Sequence, residues 1–259
     1  MYRKSARIYD LLYAGAGIKD FASEADQLHE IAARESPGAK TLLDVACGTG
    51  AHLALLRRWY AVEGVDASEA MLEVARRRLP DVPLHQADMR TLEIGRTFDV
   101  VTCLFSSIGY ITERDELAGT IGRLAAHVAP GGVLILDGWV RPDAWNDDHH
   151  VSADVAEDGG TSVARVSFSR RTGDITEIEM HHLVRTDGNV EYFVENHRLR
   201  LAPTVEYVAA VEAAGLRASV MPDYMPHRDR VVGVRPRGQG LSSPRRGSPQ
   251  HTPAASRDR

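Results

Sequence analysis

The stretch LLDVACGTGAH, Leu42 to His52, constrains this chain more than any other. An apolar run of strand length breaks at Gly48-Thr49-Gly50, and Leu53, Leu55 and Leu56 follow at helical spacing. Glycine at 48 and 50 lets the backbone turn sharply and lets a ligand approach peptide groups that a Cβ would block. A strand, turn and helix of this kind belongs in an open α/β sheet, where ligands sit at the carboxyl ends of the strands. Taken alone, a GxG turn is shared by many nucleotide-binding and purely structural loops.

The surrounding pattern supports that setting. Ahead of it, Phe21, Ala25, Leu28, Ile31 and Ala32 recur at helical spacing from Asp20 to about Glu35, and Pro37-Gly38 ends the segment. Short apolar strands are expected at Thr41 to Ala46, Val62 to Val65, Pro83 to Gln86, Phe98 to Leu104 and Val133 to Leu136. Helices are expected after the glycine turn, from Ser68 to Leu79, and from about Glu113 to His127. Such alternation predicts a doubly wound, mostly parallel sheet of seven strands, covered on both faces. From about Val151 to Leu201 the rhythm changes to polar and apolar alternation, as in Glu177-Ile178-Glu179-Met180, with turns at Glu157 to Gly160, Thr172 to Asp174 and Asp187 to Asn189. That predicts an inserted antiparallel sheet with one wet face. Pro203 starts a last helix, Gly215 ends it, and two closing strands are expected at Leu216 to Met221 and Val231 to Val234. The expected division is 1–40 for a lid and helix, 41–138 for the binding core, 139–202 for the insertion, 203–235 for the closing core elements, and 236–259 for a tail. The tail is rich in Arg, Ser, Pro and Gly and is expected to be disordered.

With 259 residues, of which 43 % are hydrophobic, the chain can bury a core without covalent staples. Its two cysteines, Cys47 and Cys103, are far apart and read as buried free thiols in a reducing, cytoplasmic setting. MYRKSARIYD carries charge with no apolar run behind it, so neither a signal peptide nor a membrane helix is expected. A net charge of −5 argues against collecting nucleic-acid phosphates.

Two carboxylates extend the glycine turn into a binding pattern. Asp66 ends the second strand in VEGVDAS, about twenty residues past the turn, where it can accept both ribose hydroxyls. Gln86-Ala87-Asp88-Met89 follows the third strand and offers a carboxylate for an adenine amine beside an apolar side chain for its ring. The third glycine of the dinucleotide fingerprint is missing, since Ala51-His52-Leu53 follows Gly50, so nothing is built for a pyrophosphate.

The order DVACGTG, GVDAS, QADM resembles the class I S-adenosylmethionine (SAM) dependent methyltransferases over Leu42 to Leu136. The resemblance implies SAM as donor, with S-adenosylhomocysteine as its product. It implies a donor site made of Tyr9, Ala46, Gly48, Gly50, Asp66, Ala67, Met71, Asp88, Met89 and Leu104. A narrower resemblance runs from Tyr2 to Val234. ARIYDLLYAGAG, FDVVTCLFSSIGY and APGGVLILDGW look like the N,N-dimethyltransferases that finish dTDP-linked amino deoxysugars of antibiotics. It implies that Tyr2 and Tyr9 belong to an amino-terminal lid, that Tyr2, Ser106, Ser107, Trp139 and Arg228 meet a nucleotide-sugar, and that the antiparallel segment covers the substrate and helps make a homodimer. For Arg228 the expected target is the diphosphate, which a guanidinium can grip bidentately.

Two departures concern the acceptor side. The resembling enzymes carry histidine where this chain has Tyr110, and Glu-Pro-Trp-Trp where it has Asp137-Gly138-Trp139-Val140. Methyl transfer from a sulfonium asks the protein mainly to hold a neutral amine about 3 Å from the methyl carbon and in line with the breaking bond. Tyr110 and Tyr2 are therefore expected to shape the amine pocket, and Asp137 is a candidate proton acceptor, with strand capping as its alternative. His149-His150 and His181-His182 do not read as a metal site, because neighbours on a strand face opposite ways. The alternative function is SAM-dependent methylation of another small natural-product amine or hydroxyl. A nucleic-acid methyltransferase fits poorly, since Ser106-Ser107-Ile108-Gly109 lacks the Pro-Pro-aromatic step of base methylases.

Overall fold

The computed structural model describes residues 2–146 and 151–237. His149, His150 and the tail beyond Arg237 lie outside the described residues. A 3-10 turn, Ser5–Ile8, leads into helix α1, Tyr9–Gly15. Helix α2, Phe21–Glu35, starts where the Asp20 carboxylate accepts the Ser23 N–H at 3.0 Å, and it buries Ala25, Leu28, Ile31 and Ala32.

The binding core follows as β1 Thr41–Val45, α3 Ala51–Leu56, β2 Ala61–Asp66, α4 Glu69–Arg78, β3 Leu84–Gln86, β4 Phe98–Cys103, α5 Arg114–Ala126 and β5 Val128–Val140. Ser68 caps α4 through its Oγ, and Arg76, Arg77 and Arg78 occupy the last turn, where cations favour the helix dipole. An antiparallel meander comes next: β6 Val151–Asp158, β7 Thr161–Thr172, β8 Ile175–Thr186 and β9 Asn189–Arg200. Helix α6, Thr204–Ala213, and the hairpin of β10, Arg217–Met225, with β11, Arg228–Val234, complete the chain.

The large sheet has the order β10-β11-β5-β4-β1-β2-β3, parallel except where β11 pairs with its neighbours. This is the doubly wound, seven-stranded sheet that the strand and helix alternation predicts. Apolar side chains pack on both faces: Leu117, Ile121 and Tyr207 of α5 and α6 on one, Leu28, Leu53, Leu56 and Leu72 of α2, α3 and α4 on the other. Burying each such leucine stabilises the fold by about 1.5–3 kcal/mol relative to exposing it. The sequence direction reverses at β1, which pairs with both β2 and β4, so their carboxyl ends open a crevice there.

β5 does not stop near Asp137 as expected. It runs on to Val140, because β11 pairs along it from Val234↔Val133 to Arg228↔Val140. Asp137 is therefore an interior strand residue, and a boundary at 138/139 falls inside β5.

The meander packs one face on the lid and core. Ala156, Val163, Val184 and Phe193 meet Ile8 and Leu12, while Ile178, Met180 and Leu199 meet Tyr110 and Trp139. Its other face is exposed, and it is not as polar as the alternation predicts. Val155 is 71 % exposed, Leu183 51 % and Tyr192 60 %, and the strand register sets Leu183 directly opposite Tyr192.

Candidate active site

Backbone strain marks the crevice. At the carboxyl ends of β1 and β4, Ala46, Phe105 and Ser106 hold φ of 60°, 49° and 62°, a region costly for side chains with a Cβ. Gly50 has φ 73°, and a Cβ there would stand 3.1 Å from the Leu79 side chain and 3.3 Å from that of Ala75, so glycine relieves both backbone strain and a tight contact where α3 starts. Gly48, with φ 56°, is different: a Cβ would meet nothing within 4 Å. The space its missing side chain leaves belongs to the cavity mouth.

Two adjoining cavities fill the crevice, one of about 180 Å³ and one of about 360 Å³. Tyr9, Ala46, Gly48, Asp66, Ala67, Met71, Asp88 and Met89, all expected in a donor site, line the smaller one. Leu104 lines the larger cavity instead, and Gly50 lies behind the loop, shaping it without facing either space.

The Asp66 carboxylate accepts the Gly48 and Ser68 N–H groups, both at 2.8 Å, and so ties the glycine loop to the end of β2. Burial raises its pKa, and those two N–H bonds partly offset the rise. Asp88 is gripped by the Arg90 guanidinium at 2.6–3.1 Å, which holds its carboxyl below the usual carboxylate range. Asp44, wholly buried in β1, accepts the Thr102 hydroxyl at 2.7 Å, and burial pushes its pKa up to about 7.

The larger cavity carries cations. Half-buried Arg228 lies 4.3 Å from the Trp139 ring and 5.8 Å from the Phe105 ring, and among the described residues no carboxylate pairs with it. Burial lowers its pKa. Lys19, which the sequence did not single out, reaches the same cavity with Nζ 2.8 Å from Glu24 and 4.1 Å from the Phe105 ring centre.

Two expected roles are corrected here. Ser106 lines neither cavity: it is buried, and its Oγ donates to the Gly138 carbonyl at 2.7 Å while Arg228 approaches it at 3.4 Å. It braces the arginine rather than facing a ligand. Asp137 also lines neither cavity. Its carboxylate takes the Arg230 guanidinium at 2.6 and 3.2 Å and the Phe105 N–H at 3.0 Å, so a buried ion pair already occupies the oxygens that a general base would need free.

Tyr2, Tyr9, Ala46, Gly48, Ser107 and Tyr110 line both cavities, so the two spaces meet at these residues. The lid is fastened over this junction. Glu195 of β9 accepts the Arg3 and Lys4 N–H groups at 2.9 and 3.1 Å, and Asp10 accepts the Thr49 hydroxyl at 2.7 Å. Tyr2, Tyr9 and Tyr13 stack edgewise or tilted with centroids 4.4–5.3 Å apart, a set of π faces suited to a neighbouring cation. The Tyr110 hydroxyl lies 2.8 Å from Nδ1 of His197, and the Tyr2 ring packs edge-on to the Tyr110 ring with centroids 6.5 Å apart. His197, buried on β9, has no sequence motif around it and escaped the sequence reading; burial lowers its pKa to about 4.

His181 and His182 face opposite sides of β8, one half-buried and one buried. Among the described residues, no group of three or more His, Cys, Asp or Glu converges as metal ligands would. Cys47 and Cys103 are free and buried, and no described helix is long and apolar enough to cross a membrane.

Residues 42–132 match the family described as a methyltransferase domain. The dTDP-3-amino-3,6-dideoxy-alpha-D-glucopyranose N,N-dimethyltransferase of Streptomyces fradiae is 45 % identical over 231 residues, spanning 88 % of this chain and 90 % of that protein. The crystal structure of Streptomyces venezuelae DesVI superposes with a TM-score of 0.85 at 42 % identity, covering 90 % of this chain and 98 % of the other. The SAM-bound structure of an amino pentose methyltransferase of Micromonospora echinaspora, involved in calicheamicin biosynthesis, gives 0.79 at 38 % identity, over 88 % of this chain and 96 % of that one.

Proposed function

Because the chain belongs to the methyltransferase family of the dTDP-amino-sugar N,N-dimethyltransferases, we infer that it moves methyl groups from SAM to the amino nitrogen of a dTDP-linked deoxysugar in antibiotic biosynthesis. The observation that carries this reading is the junction of an acid-lined cavity with a cation-lined one at Tyr2, Tyr9 and Tyr110. An adenosyl donor fits the first. Asp66 suits ribose hydroxyls, Asp88 an adenine amine, Met71 and Met89 its ring, and the open space at Gly48 the approach of the methionine part. When bound, SAM supplies a methyl group already activated by the neighbouring sulfonium.

The rest is the work of this chain's own residues. Arg228, lacking a carboxylate partner among the described residues, offers its guanidinium to the diphosphate of the sugar nucleotide. The lid tyrosines exclude water and turn π faces toward the sulfonium charge. Tyr110 accepts an N–H of the acceptor amine and holds the nitrogen at the junction, so rate enhancement comes mainly from orientation. The product ammonium releases its proton to solvent.

A homodimer is part of this reading. It is supported by the exposed apolar face of the meander, where Val151, Val155, Phe168, Leu183 and Tyr192 are each at least 46 % exposed, larger than isolated surface hydrophobics explain. The buried free thiols fit a cytoplasmic enzyme. The test is binding by calorimetry and thermal shift. S-adenosylhomocysteine should bind and raise the melting temperature, and dTDP should add further protection. Uptake of the donor product with no response to dTDP would replace the sugar nucleotide with another small acceptor.

A further inference from the structure

Tyr110 has more partners than a pocket-shaping phenol needs. It stands on the turn after β4 and faces both cavities, while His197 comes from β9, where it pairs with Ile178 and lines the larger of the two but not the smaller. Their hydroxyl-to-Nδ1 separation is 2.8 Å, and the Tyr2 ring covers His197 at 4.6 Å between centroids. His197 is 2 % exposed, and its Nε2 has no hydrogen-bond partner among the described residues. Nδ1 is thus the one ring nitrogen with a protein partner.

Building on the N-methyltransferase reading above, we propose that His197 is a positioning residue: its Nδ1 accepts the Tyr110 hydroxyl proton and thereby fixes which way Tyr110 can bind the acceptor amine. A phenol has one proton and two acceptor lone pairs. With its proton given to His197, Tyr110 presents the cavity with an acceptor site alone. An amine can meet that site only by donating an N–H, which leaves the nitrogen lone pair free to attack. Without His197 the Tyr110 proton can swing to the amine and occupy that lone pair. The arrangement requires neutral imidazole, and burial, aided by the nearby cation of Arg165 and by His182, holds His197 neutral against the opposing charge of Glu195. His197 takes up no proton during turnover.

The test uses the full-length protein with SAM and a dTDP-amino sugar, reading kcat and KM for the sugar at saturating donor. His197→Leu should lower kcat about tenfold, the loss expected from one neutral hydrogen bond that acts in the transition state, with donor affinity unchanged. His197→Asn offers Oδ1 where Nδ1 stood and should recover to within about threefold of the parent. In a Tyr110→Phe background, His197→Leu should add no further loss, because the two act as one unit. Equal impairment of the Asn and Leu variants, additive losses, or a rise in KM alone would overturn the proposal. Nitrogen NMR of isotopically labelled histidine tests it without turnover. At neutral pH His197 should show an unprotonated Nδ1 whose resonance moves in Tyr110→Phe, and a protonated Nδ1 would sink it. A parent enzyme that methylates no amino sugar but shows that signature would instead count against the functional reading alone.

Discussion

Replacing Arg230 with methionine should unfold much of what the site depends on. The Arg230 and Asp137 side chains are 1 % and 2 % exposed, and they share two bonds of 2.6 and 3.2 Å. Asp137 also holds the Phe105 N–H at 3.0 Å, at the strained start of the loop that carries Ser107 and Tyr110. Methionine keeps most of the arginine stem but leaves a carboxylate buried without its counter-ion, at a cost of about 3–5 kcal/mol. For a chain of this size each kcal/mol moves the melting temperature by about 2–4 °C, so a fall of roughly 6–20 °C is expected. Combining Arg230→Met with Asp137→Asn removes both charges and retains an oxygen for the Phe105 N–H, so most of the loss should return. Urea denaturation and thermal melts of the parent, the single variant and the double variant measure this directly. A cost under about 1 kcal/mol for Arg230→Met, or no recovery in the double variant, would refute the reasoning. A folded double variant with no turnover at all would restore Asp137 as a chemical participant.

Asp66→Asn should weaken donor binding by about 1.5–3 kcal/mol, tenfold or more by calorimetry, because the acceptor of two N–H groups loses its charge and one acceptor oxygen. Arg228→Ala should raise KM for the nucleotide sugar by at least about tenfold while leaving donor affinity unchanged, as loss of a charge-assisted contact requires. His197 has a folded pKa near 4 against 6.5 when unfolded, so between these values the unfolded chain binds more protons and stability falls as pH drops. His197→Asn should therefore lose less stability than the parent between about pH 7 and pH 5, by at most about 2 kcal/mol in equilibrium denaturation. A paired change of Val155→Glu and Leu183→Glu on the exposed meander face should shift sedimentation toward a monomer without changing the melting temperature of the separated subunit.

The sheet was legible because local physics and tertiary position agree along it: apolar strands buried on both faces and capped helices read the same in sequence and in structure. The lining of the smaller cavity was legible for a related reason. Its residues sit at the ends of successive strands, so spacing along the chain translates into spacing across the crevice, as with Gly48, Asp66 and Asp88. The acceptor side was not. Tyr110 and His197 are 87 positions apart, and only the register of a sheet folded back over the crevice joins them. Asp137 read as a strand end because the partner that extends β5, and the arginine that neutralises it, lie at Arg228 to Val234. Ser106 and Lys19 were misread or missed for the opposite reason: a φ of 62° turns one inward, and a folded lid brings the other to the cavity, neither of which local pattern encodes.

In the proposed reaction a methyl group crosses the junction at Tyr2, Tyr9 and Tyr110 to a sugar nitrogen. Incubating the protein with SAM labelled at the methyl carbon and with dTDP-3-amino and dTDP-4-amino deoxysugars, then recording carbon NMR of the purified products, observes that crossing. Labelled methyl resonances bonded to nitrogen on one of the two sugars are expected. Label found on oxygen, or left entirely in the donor while both ligands are bound, would contradict that reaction.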